Sequence, residues 1–181
     1  MFHVLYNIRN FLSKENIKTI YYTLIYSRIK YGIAVYGQAS ITKMKRIQIL
    51  QNRLLKVLAD KVFRYSTDKL HDEFEMLKVT DVANQEILTF VFNYFNGNLP
   101  TIFQNYYVTF GEENGIFTRN SNNIIRNIRR NTNYGAYSIK ARGSDLWNHL
   151  NNEIKTSYNS KQFRVKYKLS RFPYETIELN N

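Results

Sequence analysis

The chain has 181 residues, 44% of them hydrophobic, which is enough to bury a core in one ordinary domain or two small ones and excludes a disordered tail. Cysteine is absent, so disulfides, thiolate zinc sites and thiol nucleophiles are excluded together. Lys and Arg outnumber Asp and Glu by 26 to 14, a formal charge of +12, and this excess draws phosphate-rich polymers or anionic membrane surfaces without naming one of them.

From the N-terminus, Met1 to Leu12 is predicted as a short helix. His3, Asn7, Arg9 and Asn10 interrupt its apolar run, so it lacks a signal-peptide core, and no later stretch is apolar enough to span a membrane. These features predict a soluble intracellular protein, cytoplasmic or nuclear. Ser13 is a candidate N-cap opening a long helix in which Ile17, Ile20, Tyr21, Leu24, Tyr31 and Val35 repeat at three- and four-residue steps, up to "YGQAS" at 36–40.

The next predicted helix, Ile41 to Leu58, interleaves apolar and basic residues throughout. With about 100° of rotation per residue, Ile47, Leu50, Leu54, Val57 and Leu58 form one apolar stripe, while Lys45, Arg46, Arg53 and Lys56 gather to one side of it. No carboxylate offsets them on this helix, although charged helix faces are often merely solvated. Ser66 or Thr67 then caps a helix through about Met76, and Thr80 or Asp81 caps another that ends at Gly97, ahead of Pro100. Between 103 and 137 the periodicity fails. Gly111, Gly115 and Gly135 punctuate a stretch rich in Asn and Arg, including Arg126, Arg129 and Arg130, which predicts an exposed or partly disordered linker. Helices return near Ala141 to Ile154 and Ser160 to Phe172.

The expected fold is therefore all-α, with a small helical bundle over 1–104, a basic, Gly-punctuated linker over 105–137 and a C-terminal helical segment over 138–181. Charge follows its own division. Residues 1–66 carry twelve basic and two acidic side chains, 67–113 two and eight, and 114–181 twelve and four, so two basic blocks flank an acidic one.

Catalytic signatures are missing. The five aspartates are never adjacent, the three histidines are solitary, and no glycine pattern fits a phosphate-cradling loop, so no catalytic residue, metal site or cofactor is expected. "HDEFE" at 71–75 reads as acidic residues in a helix rather than as a metal site. Ser144, Asp145 and His149 crowd one helix and cannot form a triad, and Trp147 reads as a core anchor.

Six segments in order resemble the region that follows the catalytic palm in non-LTR (LINE-type) retrotransposon reverse transcriptases. They are "YGIAVYG" (31–37), "IQILQNRLLKVL" (47–58), "STDKLHDEFEMLKVTDV" (66–82), "FVFNYFNGNLP" (90–100), "FTRN" (117–120) and "YSIKARGSDLWNHL" (137–150). Tyr36 stands where that family usually has Trp, and Ser144 where Pro often follows the glycine; the palm with its paired aspartates is missing. The resemblance implies a thumb-like bundle and a non-catalytic remnant of an RNA-directed DNA polymerase, either a truncated element or a reading frame that begins late. It further implies that Lys45, Arg46, Arg53 and Lys56 meet the phosphates of an RNA or DNA duplex without reading sequence, with Arg126, Arg129 and Arg130 as a second basic cluster. A separate palm-bearing polymerase chain is left open as a partner. The competing expectation is a helical interaction protein whose basic face meets an acidic protein or an anionic membrane. Burial of Leu50 and Leu54 distinguishes the two, because a lipid-facing helix exposes its apolar stripe beside the charge.

Overall fold

The computed structural model describes residues 2–37, 41–115, 123–124 and 133–172, and among these the protein is all-α. The described residues contain no strand, only an isolated bridge between Thr109 and Ile124. The chain divides into two compact units. One comprises the described part of 1–83 with Arg171 and Phe172, and the other runs from Asn84 to Ser170.

In the first unit, α1 (Phe2–Ile8) passes into a 3-10 turn (Arg9–Phe11), and the Ser13 hydroxyl accepts from Asn16 N to open α2 (Lys14–Ile20). The helix continues through a π-helical segment (Tyr21–Tyr26) into α3 (Ser27–Lys30), and α4 (Ile33–Tyr36) follows left-handed Gly32. Ile17, Tyr21, Ile25 and Ile29 are the buried residues of this run, a strict step of four. In a pure α-helix four residues overshoot one turn by about 40°, so such a stripe spirals away from its contact. The π segment holds more residues per turn and takes up the drift. Leu24, Tyr31 and Val35, expected on the apolar stripe, are instead exposed.

α5 (Ile41–Leu58) ends in a left-handed residue, Asp60, and α6 (Thr67–Phe74) starts at the Ser66 cap and ends at left-handed Glu75. α7 (Val79–Phe95) begins at Val79, which puts its cap position at Lys78, two to three residues before the expected Thr80 or Asp81. Its first N–H is satisfied from outside, by the Gln48 side-chain oxygen at 2.8 Å. This is a cap supplied by tertiary contact, which no local pattern announces. The unit's core gathers Leu5, Tyr21, Met44, Leu54, Leu55, Leu58, Leu70, Phe74 and Val82.

In the second unit α7 ends as expected at left-handed Gly97, with Asn98 N donating to Asn93 O at 2.9 Å and Gly97 N to Tyr94 O at 3.1 Å, the paired bonds of a Schellman closure. A 3-10 turn (Thr101–Phe103) leads to α8 (Phe110–Asn114), which Thr109 and Glu112 open as a reciprocal capping box. Next come α9 (Asn133–Ala136), α10 (Ile139–Asn148), α11 (Asn152–Lys155) and α12 (Ser160–Leu169). Trp147 is buried, its ring stacked 5.2 Å from Phe95 and 6.4 Å from Phe163, with Leu146 and Leu150 packed at the edge of the same core.

This division runs differently from the expected domain limits. The boundary falls inside α7 rather than after residue 104, and parts of the predicted linker belong to the second core. Tyr107 and Ile124 are buried there, and the Asn148 amide pairs with both the N–H (2.9 Å) and the carbonyl (3.0 Å) of Ile124. Isolated apolar residues in a polar stretch carry no period, so their burial left no mark in the hydrophobic pattern.

Candidate nucleic-acid interface

The buried arc of α5 is not the stripe read from the sequence. Met44, Gln51, Leu54, Leu55 and Leu58 are buried, with Ile47 and Gln48 half-buried beside them, whereas Leu50 is 49% exposed and Ile49 is as open. The helix is thus rotated toward its glutamines. Gln51, fully buried, donates through Nε2 to Leu77 O (2.9 Å) and the Tyr21 hydroxyl (2.6 Å), and accepts from Gln48 Nε2 (2.8 Å). Gln48 also donates to Asn52 Oδ1 (2.8 Å), and buried His71 places Nδ1 2.7 Å from Met76 O and Nε2 3.0 Å from Asn52 Oδ1. Buried polar groups are tolerable when satisfied in this way, and the network fixes the 75–79 connection against α5.

Burial pushes the His71 pKa below its ordinary value, outweighing the Met76 carbonyl, which pulls it up. With Nδ1 donating to Met76 O, Nε2 of the neutral ring is an acceptor; the Gln48 amide nitrogen at 3.4 Å is the donor in reach, and Asn52 Oδ1 at 3.0 Å is a neighbouring acceptor rather than a bonding partner. His71 is therefore committed to packing, and among the described residues no three His, Asp or Glu side chains cluster in a way that would hold a metal ion. Likewise Ser144 is buried and donates to Lys140 O at 2.9 Å, while exposed His149 keeps its Nδ1 against Asp145 O.

Opposite the buried arc lie the predicted cations. Lys45, Arg46 and Arg53 are exposed, falling within about 100° of one another around the axis with Ile49 between them. Among the described residues none of the three meets a carboxylate, although other cations do. Acidic side chains of 67–113 pair with flanking basic blocks in Glu75 with Lys18 (3.5 Å), Glu86 with Arg164 (3.0 Å) and Asp81 with Arg171 (3.0 Å). The α5 cations stay outside this pairing.

Lys56 departs from the expected set. Its Nζ donates to Phe63 O at 2.5 Å and sits 5.3 Å from the Phe63 ring centroid, so it is partly committed to the loop after α5. Arg126, Arg129 and Arg130 lie outside the described residues. What the sequence reading missed is the loop itself, where Val62 and Phe63 are exposed between Lys61 and Arg64. The signal was "DKVFRY", an apolar pair stranded between a helix end and a Ser/Thr cap.

Comparison with known proteins finds no matching family model, no matching curated protein and no matching solved structure. The described helices include none long and apolar enough to cross a membrane.

Proposed function

We propose that this chain is a non-catalytic piece of a non-LTR retrotransposon reverse transcriptase, an RNA-directed DNA polymerase, that binds template and primer duplex through the outer face of α5 without sequence preference. The observation that carries the binding is the arc of Lys45, Arg46 and Arg53, exposed, free of carboxylates among the described residues and set on a helix whose opposite face is anchored by a polar network. Phosphate contact needs charge and position, both of which this arc supplies, and no base-reading geometry. The family assignment rests on the six ordered segments. It gains support from Gln48, Gln51, Asn52 and His71, which come from two of those segments and meet in one network. In this reading the chain works inside the cell, in cytoplasm or nucleus, and a palm-bearing chain supplies any polymerisation. Three of its aspartates, Asp60, Asp68 and Asp81, are occupied by Arg9, Lys78 and Arg171.

Fluorescence anisotropy on DNA, RNA and hybrid duplexes over a salt series tests the binding. If each exposed cation neutralises one phosphate, removing Lys45, Arg46 and Arg53 lowers the slope of log affinity against log salt by about 0.9 apiece on B-DNA, about 2.7 together. Arg46→Glu with Arg53→Glu weakens binding more than the alanine pair does. Parental affinity and slope in a folded Glu variant refute the reading, and template-dependent incorporation with Mg²⁺ or Mn²⁺ refutes its non-catalytic part.

One observation favours a second reading. Leu54 is buried but Leu50 and Ile49 stand half-open beside the cations, as a helix on an anionic membrane surface requires. Sedimentation with phosphatidylserine vesicles that is lost on Leu50→Gln and Ile49→Gln, alongside unaffected duplex binding, selects it.

A further inference from the structure

The turn between α5 and α6 is held at both ends, yet it presents an aromatic side chain, Phe63, to solvent. At its start Lys61 N donates to Lys56 O (2.9 Å) and Asp60 N to Val57 O (3.3 Å), with Asp60 left-handed at φ 48°, a Schellman closure built without glycine. The Asp60 carboxylate is taken up by Arg9 Nε at 2.6 Å, so it does not offset the cations around it. Tyr65 N then closes onto Val62 O at 3.0 Å, which makes Phe63 and Arg64 the two central residues of a four-residue turn, and Ser66 caps α6 directly afterwards. Phe63 is 80% exposed.

The ring is oriented as well as exposed. The Lys56 ammonium holds the Phe63 carbonyl and lies over the ring, a cation–π contact that occupies one face and leaves the other open. Lys61 and Arg64 flank the ring in sequence, and Asp60 is the only acidic residue between 41 and 67. An apolar peptide would have to desolvate these cations, whereas a nucleobase brings a flat π face together with the phosphate that satisfies them. Along α5, Arg46 and Lys56 are ten positions apart, about 15 Å, which matches roughly four nucleotides of one strand at about 3.4 Å each.

We propose that Phe63 is a stacking platform for an unpaired base at the single-strand to double-strand junction of a nucleic acid whose duplex lies on α5, with Lys61 and Arg64 on the adjoining phosphates. This rests on the basic α5 face proposed above and adds a structural preference to it: the protein favours duplexes carrying a single-stranded overhang over blunt ones.

The experiment compares a blunt duplex with the same duplex bearing a short overhang, each with 2-aminopurine at the first unpaired or terminal position. The full chain is used as parent, Phe63→Ala, Phe63→Trp and Arg46→Glu/Arg53→Glu, with thermal melting as a check on folding. Stacking at one aromatic predicts about tenfold tighter binding to the overhang, with quenched 2-aminopurine emission. Phe63→Ala abolishes that preference and the quenching while leaving blunt-duplex affinity and its salt slope unchanged, and Phe63→Trp keeps both. Equal affinity of the parent for the two duplexes, or a preference that survives Phe63→Ala, overturns the stacking. If blunt-duplex binding still falls in the Arg46/Arg53 variant, the α5 face stands without it. No duplex binding by the parent overturns both readings. Loss of binding to phosphatidylserine vesicles in Phe63→Ala, with duplex and overhang bound alike, overturns the stacking in favour of a membrane contact.

Discussion

Exchanging polarity at two neighbouring positions of α5 tests which face of this helix is buried, and with it where the cations point. Gln51→Leu places an apolar side chain in a fully buried position, a change that hydropathy alone would score as favourable. It strands the Leu77 carbonyl and the Tyr21 hydroxyl, both of which take their hydrogen bond from Gln51, and removes one of the two acceptors of Gln48 Nε2. A buried group left without a partner costs about 1–3 kcal/mol, so two of them cost about 2–6 kcal/mol, offset by about 1–2 kcal/mol of apolar burial. A net loss of about 3 kcal/mol is expected. Leu50→Gln is expected to cost less than about 1 kcal/mol, because the side chain is already half in water. Urea unfolding followed by far-UV circular dichroism measures both, and at a slope of about 1–3 kcal/mol per molar the Gln51→Leu variant shifts its midpoint by about 1–3 M. The sole tryptophan, Trp147, lies in the other unit, so its fluorescence reports separately on whether that unit is disturbed. Should Leu50→Gln prove the more damaging of the two, α5 is rotated from the orientation described here, and Lys45, Arg46 and Arg53 no longer form its outer arc.

Three further outcomes follow from the packing. A methyl group at Gly143 would lie 2.4 Å from the Tyr107 hydroxyl and 3.0 Å from Val91, so Gly143→Ala is expected to destabilise by about 1–3 kcal/mol in thermal or urea unfolding, despite the better helix propensity of alanine. Because burial holds the His71 pKa below the value of about 6.5 that it has when unfolded, the unfolded chain binds the extra proton first. Stability is then complete above pH 6.5 and falls as pH drops below it, by at most about 1.4 kcal/mol per unit from this group, a slope that His71→Asn should reduce when urea midpoints are compared between pH 7.5 and 5. Trp147→Ala removes the ring stacked against Phe95 and Phe163, and is expected to cost about 3–5 kcal/mol by chemical unfolding; a stable variant that loses duplex binding alone would make the tryptophan a ligand platform instead.

What the sequence by itself determined is the longer helices and many of their ends, though not the short α8 and α9 inside the predicted linker. Ser13 and Ser66 cap, Gly97 terminates, and Ile41–Leu58 is one helix, because capping and helical winding depend on residues within a turn or so of one another. The segregation of charge and the exposure of Lys45, Arg46 and Arg53 were legible for a related reason, since an unpaired cation has few places to go except water. Only the tertiary structure decided which apolar residues go inside. Leu50 and Leu54 are alike in hydropathy, yet Leu54 is buried and Leu50 is half-open, because Gln51 finds Leu77 and Tyr21 as partners and draws the helix round toward them. Val79 is capped by Gln48, 31 positions away, and Tyr107 and Ile124 are buried without any surrounding period. Each depends on a partner remote in the chain, and a hydrogen bond across that separation is invisible until the backbone brings its two ends together.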